Sequence, residues 1–179
     1  MSSPELLPRP GPGFILRRLS TADLADFQAC RHDEELGRYQ GWLPTPDEQA
    51  MAFLAEMSVA PFPKPGHWVQ IGIAEPRYQR LIGDIGVFLD ANATSAEIGF
   101  TLARSAQGRG VATAAVRLVV ELIFKCSTVE RVNGITDARN LPSMRLMERV
   151  GMRMTATRQA VFRGDACVEY TYTVTRAVA

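Results

Sequence analysis

The segment Gln107-Gly108-Arg109-Gly110-Val111-Ala112 follows a β-like run, Glu97 to Leu102, and opens a stretch with Val111, Ala115, Leu118, Val119 and Leu122 at helical spacing. The spacing predicts a helix from about Gly110 to Phe124. A strand, a glycine turn and a helix in that order leave the first N–H groups of the helix unpaired and pointing out of its end, where anions are attracted. Gly108 and Gly110 have no β-carbon, so phosphate oxygens can come close to the backbone, and Arg109 can add a charge-assisted contact. A diphosphate fits such a turn. A glycine pair alone specifies only a tight turn. A P-loop would place Gly-Lys-Ser/Thr at the helix start, and a dinucleotide fingerprint would add a third glycine in a parallel βαβ unit; this sequence has neither.

Upstream of this segment, Pro61, Pro63, Pro65 and Gly66 break the chain before three β-like runs, Trp68 to Ala74, Leu81 to Leu89 and Glu97 to Leu102, which read as consecutive antiparallel strands. Further back, Phe14 to Leu19 suits a short strand, and Ser20 with Asp23 supplies a capping-box start for a helix to about Cys30. A loop with Tyr39, Trp42 and Pro44 follows. Thr45, Pro46 and Glu48 then order a cap, a first-turn proline and a reciprocal acid for a helix whose stripe is Ala50, Phe53, Leu54 and Met57. Downstream, a strand over Arg131 to Thr136 precedes a helix after Asn140, with Pro142 in its first turn and Gly151 as its stop. Thr155 to Phe162 and Cys167 to Val174, joined across Arg163, Gly164 and Asp165, read as a closing hairpin. Residues 1–13, with Pro8, Pro10 and Pro12 alternating with Arg9, Gly11 and Gly13, read as a flexible Pro/Gly-rich tail, and residues 14–179 as one domain.

A chain of 179 residues supports one substantial core, and 46% hydrophobic with 22% charged residues is ordinary globular composition. The net charge of +1 creates no large one-sign field, so neither nucleic acid nor a membrane is expected as a partner. Cys30, Cys126 and Cys167 are odd in number and far apart, which suggests neither a disulfide framework nor a zinc site and fits a reducing cytoplasm. Met1 to Phe14 lacks a basic start followed by an apolar stretch, so it does not read as a signal peptide, and Val111 to Phe124, interrupted by Arg117 and Glu121, is too short to span a bilayer. His32 and His67 stand apart from any array with metal-ligand spacing, so no metal is expected.

The Gln107–Ala112 hexad, the preceding Glu97-Ile98-Gly99-Phe100, Arg131-Val132, Asn140-x-x-Ser143 and Glu148-Arg149-Val150-Gly151-Met152 resemble, in order, the motifs of the GNAT acetyltransferase superfamily. The downstream pieces are similar to its Rim-type branch, whose members acetylate ribosomal-protein N-termini and other amines. The resemblance covers roughly Phe14 to Val174. It implies a single α/β (α+β) domain with a mixed, mainly antiparallel sheet flanked by helices, in which a splayed central strand pair admits the pantetheine arm of acetyl-CoA. It also implies transfer of the acetyl group to a primary amine, on a protein N-terminus or a small molecule; whether the chain acts as a monomer or homodimer stays open.

By the same resemblance, Gln107, Gly108, Arg109, Gly110, Val111 and Ala112 hold the pyrophosphate, Thr101 and Leu102 line the pantetheine, and Asn140 contacts the pantetheine or cysteamine part of the cofactor. Direct transfer needs a neutral amine, polarisation of the carbonyl and a proton for the departing thiolate. Many relatives supply that proton from a tyrosine where this chain has Met147. Ser143, matching a Rim-type serine, is the candidate proton donor or thiolate hydrogen-bond partner, although a serine there could equally serve as a local cap. Glu97 is the candidate acceptor-facing base, directly or through water, with Asp84 on the neighbouring strand a weaker candidate. Trp42, between the first two helices, is a candidate wall of the acceptor pocket, or else core. Ser105 and Ala106 replace a frequent tryptophan, and Ala115 a frequent glutamate, so no particular ribosomal substrate follows. The missing tyrosine also leaves room for an acyl-CoA-binding sensor without turnover.

Overall fold

The alternating apolar residues upstream of the glycine turn build the middle of a single mixed sheet, seen in a computed structural model that describes residues 6–177. Its strands are β1 (Arg9–Gly11), β2 (Phe14–Arg18), β3 (Trp68–Ala74), β4 (Leu81–Leu89), β5 (Ser95–Leu102), β6 (Arg131–Asp137), β7 (Arg153–Phe162) and β8 (Asp165–Thr175). They lie in the order β1-β2-β3-β4-β5-β6-β8-β7, and β5 with β6 is the parallel pair. The helices are α1 (Leu24–Arg31), α2 (Glu34–Gly37), α3 (Asp47–Val59), α4 (Val111–Cys126) and α5 (Leu141–Val150). This is one α/β domain of the class expected from the sequence.

Strand alternation sorts the side chains onto two faces. Ile71, Ile73, Ile85, Val87, Ile98 and Leu102 point to the face that α4 and α5 cover, where they join Val116, Val119, Ile123 and Met147 in the main core. The other face carries Gln70, Asp84, Gly86, Glu97, Gly99 and Thr101. There α1 and α3 close one part of the sheet with a smaller cluster that includes Phe27, Leu54 and Met57.

A buried ion pair ties α1 to that second face. Arg31 Nη2 donates to both Asp84 oxygens at 3.0 Å, and Gln70 Nε2 donates to Asp84 Oδ1 at 2.7 Å. The guanidinium is stacked between the rings of Phe27, 4.2 Å away, and Trp42, 4.6 Å away. Asp84 is therefore spoken for, and it is not the free base considered from the sequence.

Several boundaries differ from expectation. Arg9–Gly11, read as part of a flexible tail, pairs with β2 across a Pro12-Gly13 turn, and Leu7 is buried in the main core. An edge strand asks Pro10 for no outward donor, which is why proline is tolerated there. Residues 1–5 of that tail, and 178–179 of the expected domain, lie outside the described residues. Thr45 does not cap α3: Pro46, at ψ 154°, is the N-cap, and the Thr45 carbonyl instead accepts from Gln28 Nε2 at 2.8 Å. The sequence reading also missed α2, whose cap Asp33 accepts from the N–H groups of Glu35 and Leu36.

Candidate active site

The parallel pair β5–β6 is hydrogen-bonded only from Ser95 to Ile98 against Arg131 to Gly134, although both strands continue beyond. The strands splay from that point. Odd-numbered residues of β5 and its continuation bond toward β4, as Ala103 N–H does to Ile82 O, so the backbone groups of Phe100 and Leu102 face the gap. The Phe100 carbonyl accepts from Gln40 Nε2 at 3.0 Å, and the Leu102 carbonyl from Gln107 Nε2 at 2.9 Å. The N–H groups of Phe100 and Leu102 are left directed at the opening.

The gap leads into a cavity of about 660 Å³ whose walls include Thr101, Leu102, Gln107, Gly108, Gly110, Val111, Ala112, Asn140 and Ser143. Gly108 and Gly110 sit at φ +75° and +76°, a conformation that side chains disfavour, and a β-carbon on either would meet no atom within 4 Å. Gly110 is the left-handed N-cap of α4, so the first turn of that 16-residue helix presents its N–H groups to the cavity. Across the opening, Asn140 caps α5 by accepting from Ser143 N–H at 3.3 Å. The cap role weighed for Ser143 thus belongs to Asn140, and no described residue bonds the Ser143 hydroxyl.

The family model for the Acetyltransferase (GNAT) domain matches residues 14–153. The chain belongs to the GNAT acetyltransferase family. Over 82 residues it is 37% identical to the Bacillus subtilis (strain 168) protein named "Probable N-acetyltransferase YjcK", and the match spans 45% of either chain, less than half of that relative's length. Among solved structures, an acetyltransferase (GNAT family) from Bacillus anthracis superimposes with a TM-score of 0.80 at 18% identity, over 94% of this chain and 98% of that one. RimL, a ribosomal L7/L12 alpha-N-protein acetyltransferase in complex with coenzyme A, does so with a TM-score of 0.76 at 15% identity, over 92% and 95%. At such identities the likeness is one of fold.

Within this GNAT domain three of the expected site residues stand away from the cavity wall. Arg109 projects outward between its two glycines and donates to Ser105 O at 3.1 Å, so it is not aimed at a phosphate. Trp42 lies behind the wall, stacked on Arg31 and donating through Nε1 to Thr101 Oγ1 at 3.3 Å. Glu97 sits half-buried on the α1/α3 face of β5, two residues from Gly99. Burial first, then the Glu169 carboxylate, push its carboxyl above the ordinary range, with Arg158 opposing. Met147 is packed in the core against Gly134, leaving no room there for any β-carbon.

The structure also recruits residues that sequence reasoning did not find. α2 brings Glu35, Leu36 and Arg38 to the cavity rim. It is held there by Arg104, which grips Asp33 at 2.6 and 2.7 Å and Glu35 at 2.7 Å. That grip, with the Leu36 N–H, holds the Asp33 carboxyl down at about 2. Asp33 before Glu34-Glu35 is a cap followed by an acidic first turn, the one signal that could have revealed α2. Gln40 is the other recruit. While its side chain reaches Phe100, its carbonyl accepts from Arg163 Nη2 at 3.1 Å, as does that of Trp42 at 3.0 Å. The tip of the β7–β8 hairpin is thereby clamped onto the loop between α2 and α3.

No helix is long and apolar enough to cross a membrane, and no group of three or more His, Cys, Asp or Glu side chains could hold a metal ion, both among the described residues.

Proposed function

We propose that this chain transfers the acetyl group of acetyl-CoA to a primary amine in a ternary complex. The observation that carries this reading is the splay of β5 from β6, opening straight onto a glycine-floored helix end. The residues present suit acetyl-CoA: free N–H groups at the α4 start for a diphosphate, free strand N–H groups of Phe100 and Leu102 for an amide-bearing arm, and a cavity of about 660 Å³. Gln107, which spends its amide on Leu102, fixes the turn to the end of β5 while lining the same cavity.

The amine nitrogen attacks the thioester carbonyl carbon. The C–N bond forms, the C–S bond breaks, and CoA leaves as a thiolate that takes up a proton. Glu97 is assigned to accept the proton that the ammonium must lose, directly or through water. Its half-buried position, with no hydrogen-bond partner among the described residues, suits a base with a raised pKa. Ser143, whose hydroxyl stands unbonded beside Asn140, is assigned to the departing sulfur as donor. None of Cys30, Cys126 and Cys167 lines the cavity, and burial followed by Asp84 pushes the Cys30 thiol up to about 11, which favours direct attack over a covalent acyl-enzyme on cysteine. RimL, a structural neighbour, acts on a protein N-terminus, and such an N-terminus is one acceptor class to assay alongside small amines.

The replacement of the usual tyrosine by a buried methionine favours a second reading, an acyl-CoA sensor without turnover. Acetyl-CoA titration followed by CoA release with an amine panel separates them: binding with acceptor-dependent release supports transfer, binding alone supports the sensor, and no binding removes both.

Two substitutions test the cavity assignments. Gly110→Glu places a carboxylate where the diphosphate would lie, and loss of a charge-assisted hydrogen bond should weaken acetyl-CoA binding by about 2–3 kcal/mol. Gly110→Ala, which imposes the φ strain alone, should weaken it far less; equal affinities for wild type and the Glu variant in calorimetry would refute the placement. Ser143→Ala should slow CoA release roughly tenfold at saturating substrates, with acetyl-CoA affinity unchanged. Wild-type single-turnover rates would remove Ser143 from the mechanism.

A further inference from the structure

Resting on the acetyl-transfer reading, we propose that the acceptor is an amine joined by a few bonds to a flat ring, and that Trp68 is the side chain that selects the ring. Trp68, Phe88 and Glu97 are successive cross-strand partners on β3, β4 and β5, so they stand in one line on the face that α1 and α3 cover only in part. With strands about 5 Å apart, the backbones of Trp68 and Glu97 are about 10 Å apart. That is the span of an amine, a short linker and a ring.

The next row on the same face is Gln70, Gly86 and Gly99. A β-carbon on Gly86 would meet Trp68 Cε3 at 3.2 Å and Gln70 Oε1 at 2.7 Å, so indole and amide lie down over this glycine. A β-carbon on Gly99 would meet nothing within 4 Å. The result is an open well over Gly99, bounded by the Glu97 carboxylate, by Thr101 with Trp42 bonded to it, and by the reclining indole.

Trp68 is 47% exposed, yet it is not loose. Its ring packs at 5.6 Å and 39° against Phe88. A lone exposed aromatic needs no explanation, but this one is fixed in place on Phe88, in line with and two strands from a half-buried carboxylate that no described residue bonds. An ammonium supplies the bonded partner that Glu97 lacks, since the Arg158 guanidinium nearby is paired with Glu169. A flat ring on the same molecule covers the exposed indole with the geometry aromatic pairs prefer. A plain alkyl amine satisfies the carboxylate and leaves the indole's preference for a ring unused.

The test measures CoA release at saturating acetyl-CoA with 2-phenylethylamine, n-hexylamine, and short peptides beginning with Phe or Ser. The expected result is a kcat/KM for phenylethylamine about tenfold above that for hexylamine, with the Phe peptide ahead of the Ser peptide if peptides are used. Trp68→Ala should lower the phenylethylamine value about fivefold while barely changing the hexylamine value, and Trp68→Phe should restore most of it. Equal use of the two amines, a Ser peptide used as well as a Phe peptide, or an equal loss for both amines in Trp68→Ala would overturn the proposal. Thermal melts check that both variants are folded. If no amine is acetylated at all, the transfer reading fails separately. Calorimetry of phenylethylamine with the CoA-bound protein then decides the well: binding that Trp68→Ala abolishes keeps it, and absence of binding removes it.

Discussion

Replacing Glu97 with Gln is expected to lower kcat/KM for the amine by about two to four orders of magnitude, the usual contribution of a positioned base. Acetyl-CoA affinity should stay nearly unchanged, because Glu97 lies on the face of β5 away from the glycine turn. The pH dependence adds a sharper test. A base acts only when ionised, and burial together with Glu169 raises the carboxyl above the ordinary carboxylate range. Wild-type kcat/KM should therefore fall as pH drops through that raised pKa, above where an exposed glutamate titrates. In Glu97→Gln this acid limb should vanish, and in Glu169→Gln it should move to lower pH, since the second cause of the shift is gone. An acid limb that survives unchanged in Glu97→Gln would transfer the base role elsewhere.

Asp84→Ala should reduce unfolding free energy by about 3–5 kcal/mol, because it strands a buried guanidinium without its partner. Arg31 is 5% exposed, and its Nη1 already has no hydrogen-bond partner, so no nearby group is in place to compensate. Urea denaturation measures the effect as a lower midpoint with an unchanged slope. The double variant Arg31→Met, Asp84→Leu should recover most of the loss, as exchange of a buried pair for apolar groups usually does. A loss below about 1 kcal/mol for Asp84→Ala would mean that water reaches the pair. Because Arg31 also carries Trp42, and Trp42 bonds Thr101, the single variant should loosen the Thr101 wall of the cavity as well.

Much of the fold was legible because the chain obeys local rules at its centre. β3 and β4 begin and end where alternation places them, and α5 runs between the Asn140 cap and Gly151 at φ +97°. The glycine turn was legible for the same reason, since two β-carbon-free positions before an apolar helix leave few other conformations. What escaped depended on contacts between distant segments. β1 looks like a tail until β2 lies beside it. The four residues of α2 are too few for periodicity, and Arg104, 71 residues away from Asp33, holds them in place. Arg109 carried the right charge for a phosphate, but the side-chain direction between two left-handed glycines is a three-dimensional fact. The same holds for Trp42, whose role depends on Arg31 being paired with Asp84.

The clamp of Arg163 onto the carbonyls of Gln40 and Trp42 spans more than 120 residues. The loop between α2 and α3 is thus fastened by a segment far from it in sequence. The glycine turn and the cavity-lining residues all precede β7, whereas the latch onto the Gln40 carbonyl comes from the turn between β7 and β8. Closing a loop of this length costs more chain entropy than forming a local turn. The position of Gln40 against β5 is therefore tied to the β7–β8 hairpin, whereas the glycine turn is set by residues next to one another in sequence.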